Sequence, residues 1–222
     1  VDYDQMTEIP GLFAAGECDY SQHGANRLGA NSLLSAIYGG MVAGPNAVEY
    51  IKGLKKHAED LPETIFEARV KEETEKWEAI LKMDGTENAY LLHKELGEWM
   101  TYNFAVVRHN NRLEKTYEKL TELQERWNNI NVNDTQRWSN QGAHFVRQLK
   151  NMLYLAKVMT KGALLRNESR GAHYKPEFPE RDDENFLKTT MAKFDPATGE
   201  PIITYQEVDV SLIPPRKRDY SK

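Results

Sequence analysis

Cys18 is the only cysteine in the chain. It can close no internal disulfide and build no cysteine-based zinc site, a usage compatible with a reducing compartment. No apolar run approaches the roughly 20 residues a helix needs to span a bilayer, so membrane association would have to pass through partners. Basic residues are in the minority as well. Lys and Arg total 29 against 34 Asp and Glu, a net charge of −5, and the pI is near 5.8. That balance gives no general attraction to nucleic acid. P-loop, nucleophile-elbow and zinc signatures are missing, as are internal repeats and low-complexity tracts. His93, His109 and His144 have no metal-ligand spacing with other ligands and read as helix-surface or core residues.

What remains is ordinary in bulk: 222 residues with 40% hydrophobic and 28% charged side chains, enough for a sizeable core. The sequence opens on Val1 without an initiator Met. Val1 to Glu17 reads as extended, with a Pro10-Gly11 turn before the strand-like Leu12-Phe13-Ala14-Ala15. Two short strand pieces do not make a stable sheet by themselves. The expectation is therefore that this is the C-terminal part of a longer polypeptide.

From Asn31 to about Leu54 the pattern predicts a helix with Asn31 or Ser32 as N-cap. Leu33, Leu34, Ile37, Met41 and Val42 supply one apolar face, Gly39-Gly40 permits close packing, and Pro45 predicts a kink or restart near Gly44. A boundary falls at about residue 55. Helices are predicted over Pro62 to Lys82, Asn88 to Val107, a stretch around Leu113 to Trp127, and one capped by Asp134 that ends near Arg166. Leu113, Tyr117, Leu120, Leu123 and Trp127 recur every three or four residues, an amphipathic signature. Long helices with short connections predict an antiparallel bundle of roughly three helices plus an extra one. Past Arg166 the composition turns polar and proline-rich, and Leu187 to Phe194 and Pro201 to Val208 flank a turn at Asp195-Pro196-Ala197-Thr198-Gly199, a hairpin signal. Trp77, Trp99, Trp127 and Trp138 fall at or near helical core positions and read as packing. The charge runs Lys71 to Lys76 and Glu114 to Arg126 read as solvated helix faces.

The chemistry concentrates near the start. Glu17 ends the presumed strand after Gly16, where a carboxylate can accept hydrogen bonds from ribose hydroxyls or simply be a solvated loop acid. Arg27 sits in a Gly- and Asn-rich loop, and its fork can hold a carboxylate bidentately or point to solvent like most surface arginines. Asn31-Ser32-Leu33 opens a helix whose free N–H groups and dipole can face an anionic group, as every helix start can. His23 could donate a hydrogen bond or act as acid or base, with a structural loop histidine the blander reading. Arg170, His173 and Arg181-Asp182-Asp183 form a polar cluster, read as an interdomain salt-bridge network before an active-site flank.

Gly11-Leu12-Phe13-Ala14-Ala15-Gly16-Glu17 followed by His23-Gly24-Ala25-Asn26-Arg27-Leu28-Gly29-Ala30-Asn31-Ser32-Leu33-Leu34 closely resembles the flavoprotein subunit of succinate dehydrogenase and fumarate reductase. Glu168-Ser169-Arg170-Gly171-Ala172-His173 with Pro179-Glu180-Arg181-Asp182-Asp183-Glu184-Asn185 is similar to that family's C-terminal signature. So are Thr86-Glu87-Asn88-Ala89 and the Arg216-Lys217-Arg218-Asp219-Tyr220 ending. In detail the chain looks most like the subunit of menaquinone-linked complexes of Bacillus type.

The resemblance implies an α-dominated chain: the C-terminal end of an FAD-binding α/β domain (1–55), a helical bundle domain (56–166), and a C-terminal loop, hairpin and extended tail (167–222). It implies that Glu17 binds the ribose of FAD, that Ser32 and Leu33 place a helix start at the isoalloxazine, and that Arg27 clamps a carboxylate of succinate or fumarate. No catalytic proton-transfer residue falls in this stretch. The covalent flavin-attachment site, the proton-shuttling arginine and the substrate-binding histidines are expected outside it, so the stretch alone is expected to be inactive. Implied partners are an iron–sulfur subunit and a membrane-anchor cytochrome b subunit, with the protein peripheral at the cytoplasmic face of the bacterial plasma membrane. Fumarate reduction, L-aspartate oxidation and a non-catalytic helical scaffold are the alternatives; Arg27-Leu28-Gly29 and the C-terminal signature fit the dehydrogenase better than the oxidase.

Overall fold

The computed structural model describes residues 1–216, which carry six α-helices and one two-stranded sheet. The residues fall into two units, Val1–Ala79 and a second from Ile80 onward.

In the first unit the expected strand over Leu12 to Ala15 shrinks to a bridge between Met6 and Phe13, flanked by the bonds Thr7 N to Leu12 O and Ala14 N to Gln5 O. Among the described residues no further strand lies beside it to extend the pairing. Helix α1 (Asn31–Lys52) follows. Gly39 is buried on it, and a Cβ there would lie 3.0 Å from Gln5 Oε1 and 3.3 Å from Ala15 Cβ. The N-terminal segment therefore rests directly on the helix backbone. Gly40, paired with it in the sequence, faces open space instead. No restart occurs at Pro45, which sits inside one continuous helix. The ring removes a single N–H donor, and regular turns on both sides carry the helix past it.

The expected cap of α1 is also different. Asn31 is already helical, and the N-cap is Ala30 at φ +67°, which offers no side-chain hydrogen bond. On the same helix Leu33 stays 74% exposed and Met41 71% exposed. Helix α2 (Glu63–Leu81) buries only Ile80 and Leu81, and its charged face carries exposed pairs such as Lys76 with Glu72 at 2.6 Å.

The second unit is built on α3 (Ala89–Asn103), α4 (Asn110–Trp127) and α5 (Gln141–Leu165). Tyr90 stacks on Phe145 near the starts of α3 and α5, and Thr160 meets the Met100 sulfur near their ends. Trp127, ending α4, donates to Val146 O at 2.8 Å near the beginning of α5. Consecutive helices therefore run antiparallel. The predicted stripe on α4 lies in the core: Leu113, Leu120 and Leu123 are fully buried, as are Leu92 of α3 and Leu149 and Leu153 of α5. Each such leucine contributes about 2 kcal/mol by leaving water.

Asn88 caps α3 by accepting from the Tyr90 and Leu91 amides. For α5 the cap is Asn140, accepting from Ala143 N at 2.8 Å, and not Asp134. Asp134 closes its own turn onto Gln136 N, while Asn140 Nδ2 donates back to Asp134 O and Gln136 O. The intervening loop holds Trp138, which is 87% exposed and belongs to no core. Trp77 and Trp99 are half-buried. At this same end of the bundle, Gly85 passes so close to the 129–130 turn that a Cβ would fall 2.0 Å from Asn129 O. Only glycine permits the ladder Gly85 N to Ile130 O and Val132 N to Met83 O that closes this end.

The charged run of α4 is more than a solvated face. Arg126 forks onto Glu87 at 2.8 Å and reaches Glu95 at 2.9 Å, and Lys119 meets Glu95 at 2.7 Å. These pairs bind α3 and the segment before it to α4.

After a short α6 (Asp183–Phe186), β1 (Lys188–Phe194) and β2 (Pro201–Glu207) form the predicted hairpin, in register Lys188 with Glu207 through Phe194 with Pro201. Its turn docks on the bundle. Glu200 accepts hydrogen bonds from Tyr117 and from buried Lys157, and Lys161 donates to Pro201 O at 2.7 Å. Of the basic ending noted in the sequence, residues 217–222 lie outside the described residues.

Candidate functional site

Residues 11–34 form a continuous, largely open surface of the first unit. Glu17 lies in a 3-10 turn, Gly16–Cys18, which Asp19 N closes onto Gly16 O. The following loop is anchored from beneath. Asp19 is buried and accepts from Ser21 N at 2.9 Å. Gln22 donates to Gln5 Oε1 at 3.2 Å and to Asp19 Oδ2 at 3.4 Å. Gln5 is itself buried, at φ +67°. The next residue, His23, is half-buried and pairs through Nε2 with Ser35 Oγ of α1 at 3.1 Å.

Glu17, Arg27, Ser32 and Leu33 all lie on this surface, and the Arg27 and Leu33 side chains are exposed. Among the described residues no hydrogen bond or ion pair engages the Arg27 guanidinium or the Glu17 carboxylate. At the start of α1 no side chain caps the helix; the Asn31 amide donates to Leu28 O at 3.3 Å, and the Ser32 and Leu33 amides remain free donors among the described residues. One stretch thus presents a free fork, a free carboxylate and an open helix N-terminus with its partial positive charge. A dinucleotide cofactor that carries ribose hydroxyls and an electron-rich ring fits this donor and acceptor set. No group of three or more His, Cys, Asp and Glu side chains able to hold a metal occurs among the described residues, and no helix there is long and apolar enough to cross a membrane.

The polar cluster after α5 is different in kind. Glu168 is fully buried and accepts from Arg166 at 2.6 Å and from Arg170 at 2.8 Å. Arg170 continues to Asp183 at 2.7 Å, which Arg181 also meets. Arg166, Glu168, Arg170, Arg181 and Asp183 all belong to the second unit. It ties the end of α5 to α6 and to β1, because Arg166 also donates to Phe186 O and Lys188 O.

His173 of the same cluster is joined by two residues that carry no signal in the sequence, Arg108 and Lys175. Arg108 Nη1 donates to His173 Nδ1 at 2.6 Å, and His173 Nε2 donates to Arg166 O at 2.9 Å. Both ring nitrogens are thereby assigned to the neutral Nε2–H tautomer. Burial, reinforced by the cations of Arg108, Lys175 and Arg166, pushes His173 down to about 4. Lys175 is completely buried and donates to Leu164 O at 2.9 Å and Asn167 Oδ1 at 3.1 Å. Burial pushes it down to about 8. Its bonds finish the C-terminal turn of α5, where a cation complements the helix dipole.

Residues 1–33 match a family model described as FAD binding domain, and residues 93–220 match one described as Fumarate reductase flavoprotein C-term. The class is thus a flavoprotein, seen here as the end of its FAD-binding region joined to its C-terminal helical region. The chain belongs to the fumarate reductase and succinate dehydrogenase flavoprotein family. It is 69% identical over 222 residues to the succinate dehydrogenase flavoprotein subunit of Bacillus subtilis, covering 100% of this chain and 38% of that protein. Among solved structures, it resembles a variant of the quinol fumarate reductase flavoprotein of E. coli with TM-score 0.88 and 35% identity, covering 96% of this chain and 36% of the other. A quinol-fumarate reductase with menaquinol molecules gives TM-score 0.87 and 35% identity, with 96% and 37% covered. The chain therefore spans little more than a third of the relatives it matches.

Proposed function

We propose that this chain is the C-terminal portion of an FAD-containing subunit that oxidises succinate to fumarate and passes the electrons to an iron–sulfur subunit and on to quinone. The observation that carries the reading is the order of the two family matches, FAD-binding at 1–33 and flavoprotein C-terminal at 93–220. The 69% identity to a succinate dehydrogenase subunit favours that reaction over its reverse.

Within this reading, residues 1–55 complete the FAD-binding domain, 56–166 support it, and 167–222 lock the helical region with loop, hairpin and tail. Glu17 accepts hydrogen bonds from the ribose of FAD. The open amides of Ser32 and Leu33 face the isoalloxazine, where they and the α1 dipole stabilise negative charge on the reduced ring. Bound FAD supplies the hydride acceptor. Arg27 holds one carboxylate of the dicarboxylate bidentately, fixing the methylene carbons at reacting distance; its contribution is orientation, with proton transfer left to groups outside this stretch. The free state of the Arg27 fork supports this role, since no carboxylate of the described residues competes for it.

The partners in this reading are an iron–sulfur subunit and a membrane-anchor cytochrome b subunit, which hold the protein at the cytoplasmic face of the plasma membrane. The same site serves fumarate reduction, a second reading favoured by the quinol-fumarate reductase neighbours. Comparing succinate oxidation and fumarate reduction by the full-length complex, with menaquinone and menaquinol analogues, separates the two directions. The site assignment is tested by Arg27→Ala in the full-length subunit: FAD content stays at the parent level and succinate turnover is abolished. Near-normal succinate oxidation by that variant would refute the role of Arg27.

A further inference from the structure

We propose that His23 is a positioning residue, one that fixes the first turn of α1 through Ser35 and so holds the amides that face the flavin. The proposal rests on the flavin reading above and adds to it a residue outside the contact set.

The geometry is a two-bond relay. Ser35 Oγ donates to Ser32 O at 3.0 Å, and the same oxygen lies 3.1 Å from His23 Nε2. A serine hydroxyl has one proton. With that proton on the Ser32 carbonyl, the Ser35 oxygen is left as an acceptor, and the relay assigns the donor role to His23 through Nε2–H. His23 thereby orients Ser35, and Ser35 grips the peptide unit joining Ser32 to Leu33. Ser32 and Leu33 directly follow Asn31, the first residue of α1.

Two further observations make the relay more than an incidental loop contact. The start of α1 has no side-chain cap, and Ala30 enters it in the left-handed region at φ +67°. Among the described residues, His23–Ser35 is the side-chain link from the preceding loop to this first turn. His23 is also presented from a fixed base. The adjacent Gln22 is bonded to buried Gln5 and buried Asp19, and Asp19 Oδ1 closes the turn on Ser21 N. A site is held to working precision by such supporting bonds, and a loosened helix start presents its dipole and amides less accurately to a reduced flavin.

The test uses the full-length FAD-loaded subunit in its complex, with His23→Leu, His23→Gln, Ser35→Ala and the double variant His23→Leu/Ser35→Ala. FAD content, the two-electron flavin midpoint potential by redox titration, and kcat and KM for succinate are measured. His23→Leu and Ser35→Ala keep FAD, and each weakens binding of reduced relative to oxidised flavin about tenfold, which is about 30 mV more negative for a two-electron couple. The value of kcat falls several-fold while KM for succinate stays within about twofold, because Arg27 is untouched. His23→Gln retains an N–H donor and recovers most of the potential, and the double variant is no worse than either single. Potentials equal to the parent in both single variants, additive losses in the double, or a His23→Gln variant as impaired as His23→Leu each overturn the assignment. Where His23→Leu fails to assemble, Ser35→Ala carries the same test. If the unaltered subunit takes up no FAD, the flavin reading falls and His23 falls with it. If it binds and reduces FAD normally while the variants match the parent potential, only the role of His23 is lost.

Discussion

Arg108 and His173, 65 residues apart in sequence, meet at 2.6 Å through Nη1 and Nδ1, and burial together with this contact favours the neutral imidazole. The ring cannot take a second proton without losing the Arg108 bond and placing a further charge beside Arg108, Lys175 and Arg166. Its folded pKa is about 4 against an ordinary 6.5, so between those values the unfolded chain binds more protons than the folded one. Stability therefore rises with pH across that window and is lost as pH falls from 6.5 toward 4, by at most about 3 kcal/mol. Carboxylates of the same network also titrate in acid, so the variant is compared with the parent. His173→Gln keeps an acceptor for Arg108 and a donor for Arg166 O without the titration. Its apparent melting temperature should fall less steeply than the parent's between pH 6.5 and 4.5. Parallel curves would show that His173 is not the group responsible.

Lys157 is almost fully buried, and its ammonium meets Glu200 Oε1 at 2.6 Å and Gln124 Oε1 at 3.3 Å. Burial pushes the Glu200 carboxyl up, but the hydrogen bonds from Lys157 and Tyr117 outweigh it and hold it below the usual carboxylate range. Removing the acid strands a buried cation, which is more damaging than removing both charges. Glu200→Ala should destabilise the second unit by about 3 kcal/mol and increase amide exchange along β1 and β2. Adding Lys157→Met should restore much of that loss. A double variant as unstable as the sum of the single losses would mean that the pair contributes packing alone.

Neither of these two contacts is visible in the local sequence, whereas much of their setting is. The stripe Leu113, Leu120, Leu123 on α4 and the hairpin around Asp195 and Gly199 are written in local period and turn chemistry, so residue order alone makes them legible. The nearness of Glu17, Arg27, Ser32 and Leu33 is legible in the same way, because they fall within one short glycine-punctuated stretch. The neutral state of His173 depends on burial and on Arg108, neither of which has a local signature. Cap choice fails for a related reason. Asn31 and Asp134 are both good cap residues, yet Ala30 starts α1 and Asn140 starts α5 because surrounding turns fix where the helix begins. Trp138 fits a core by composition and stands 87% exposed, since the chain around it forms a loop held by Asp134 and Asn140. Arg126, read as part of a solvated face, instead bridges to Glu87 and Glu95, a pairing set by how α3 and α4 cross.

Arg27 allows the sharpest separation between a recognition residue and a surface cation. Its guanidinium is exposed and unengaged among the described residues, so a substitution there disturbs no internal contact. Arg27→Lys keeps the charge and removes the planar fork. If Arg27 only contributed long-range attraction for a dianionic substrate, the lysine variant would differ little from the parent at physiological salt. Bidentate clamping makes a different demand. One point charge can no longer fix the carboxylate in a plane, and a displacement of about 1 Å at the reacting carbons lowers rate about a hundredfold. For the full-length subunit, Arg27→Lys should therefore lower kcat/KM for succinate by about two orders of magnitude, with FAD content and melting temperature unchanged. A loss confined to low ionic strength, or erased by raising the salt in both parent and variant, would assign Arg27 to steering and leave the carboxylate clamp to another residue.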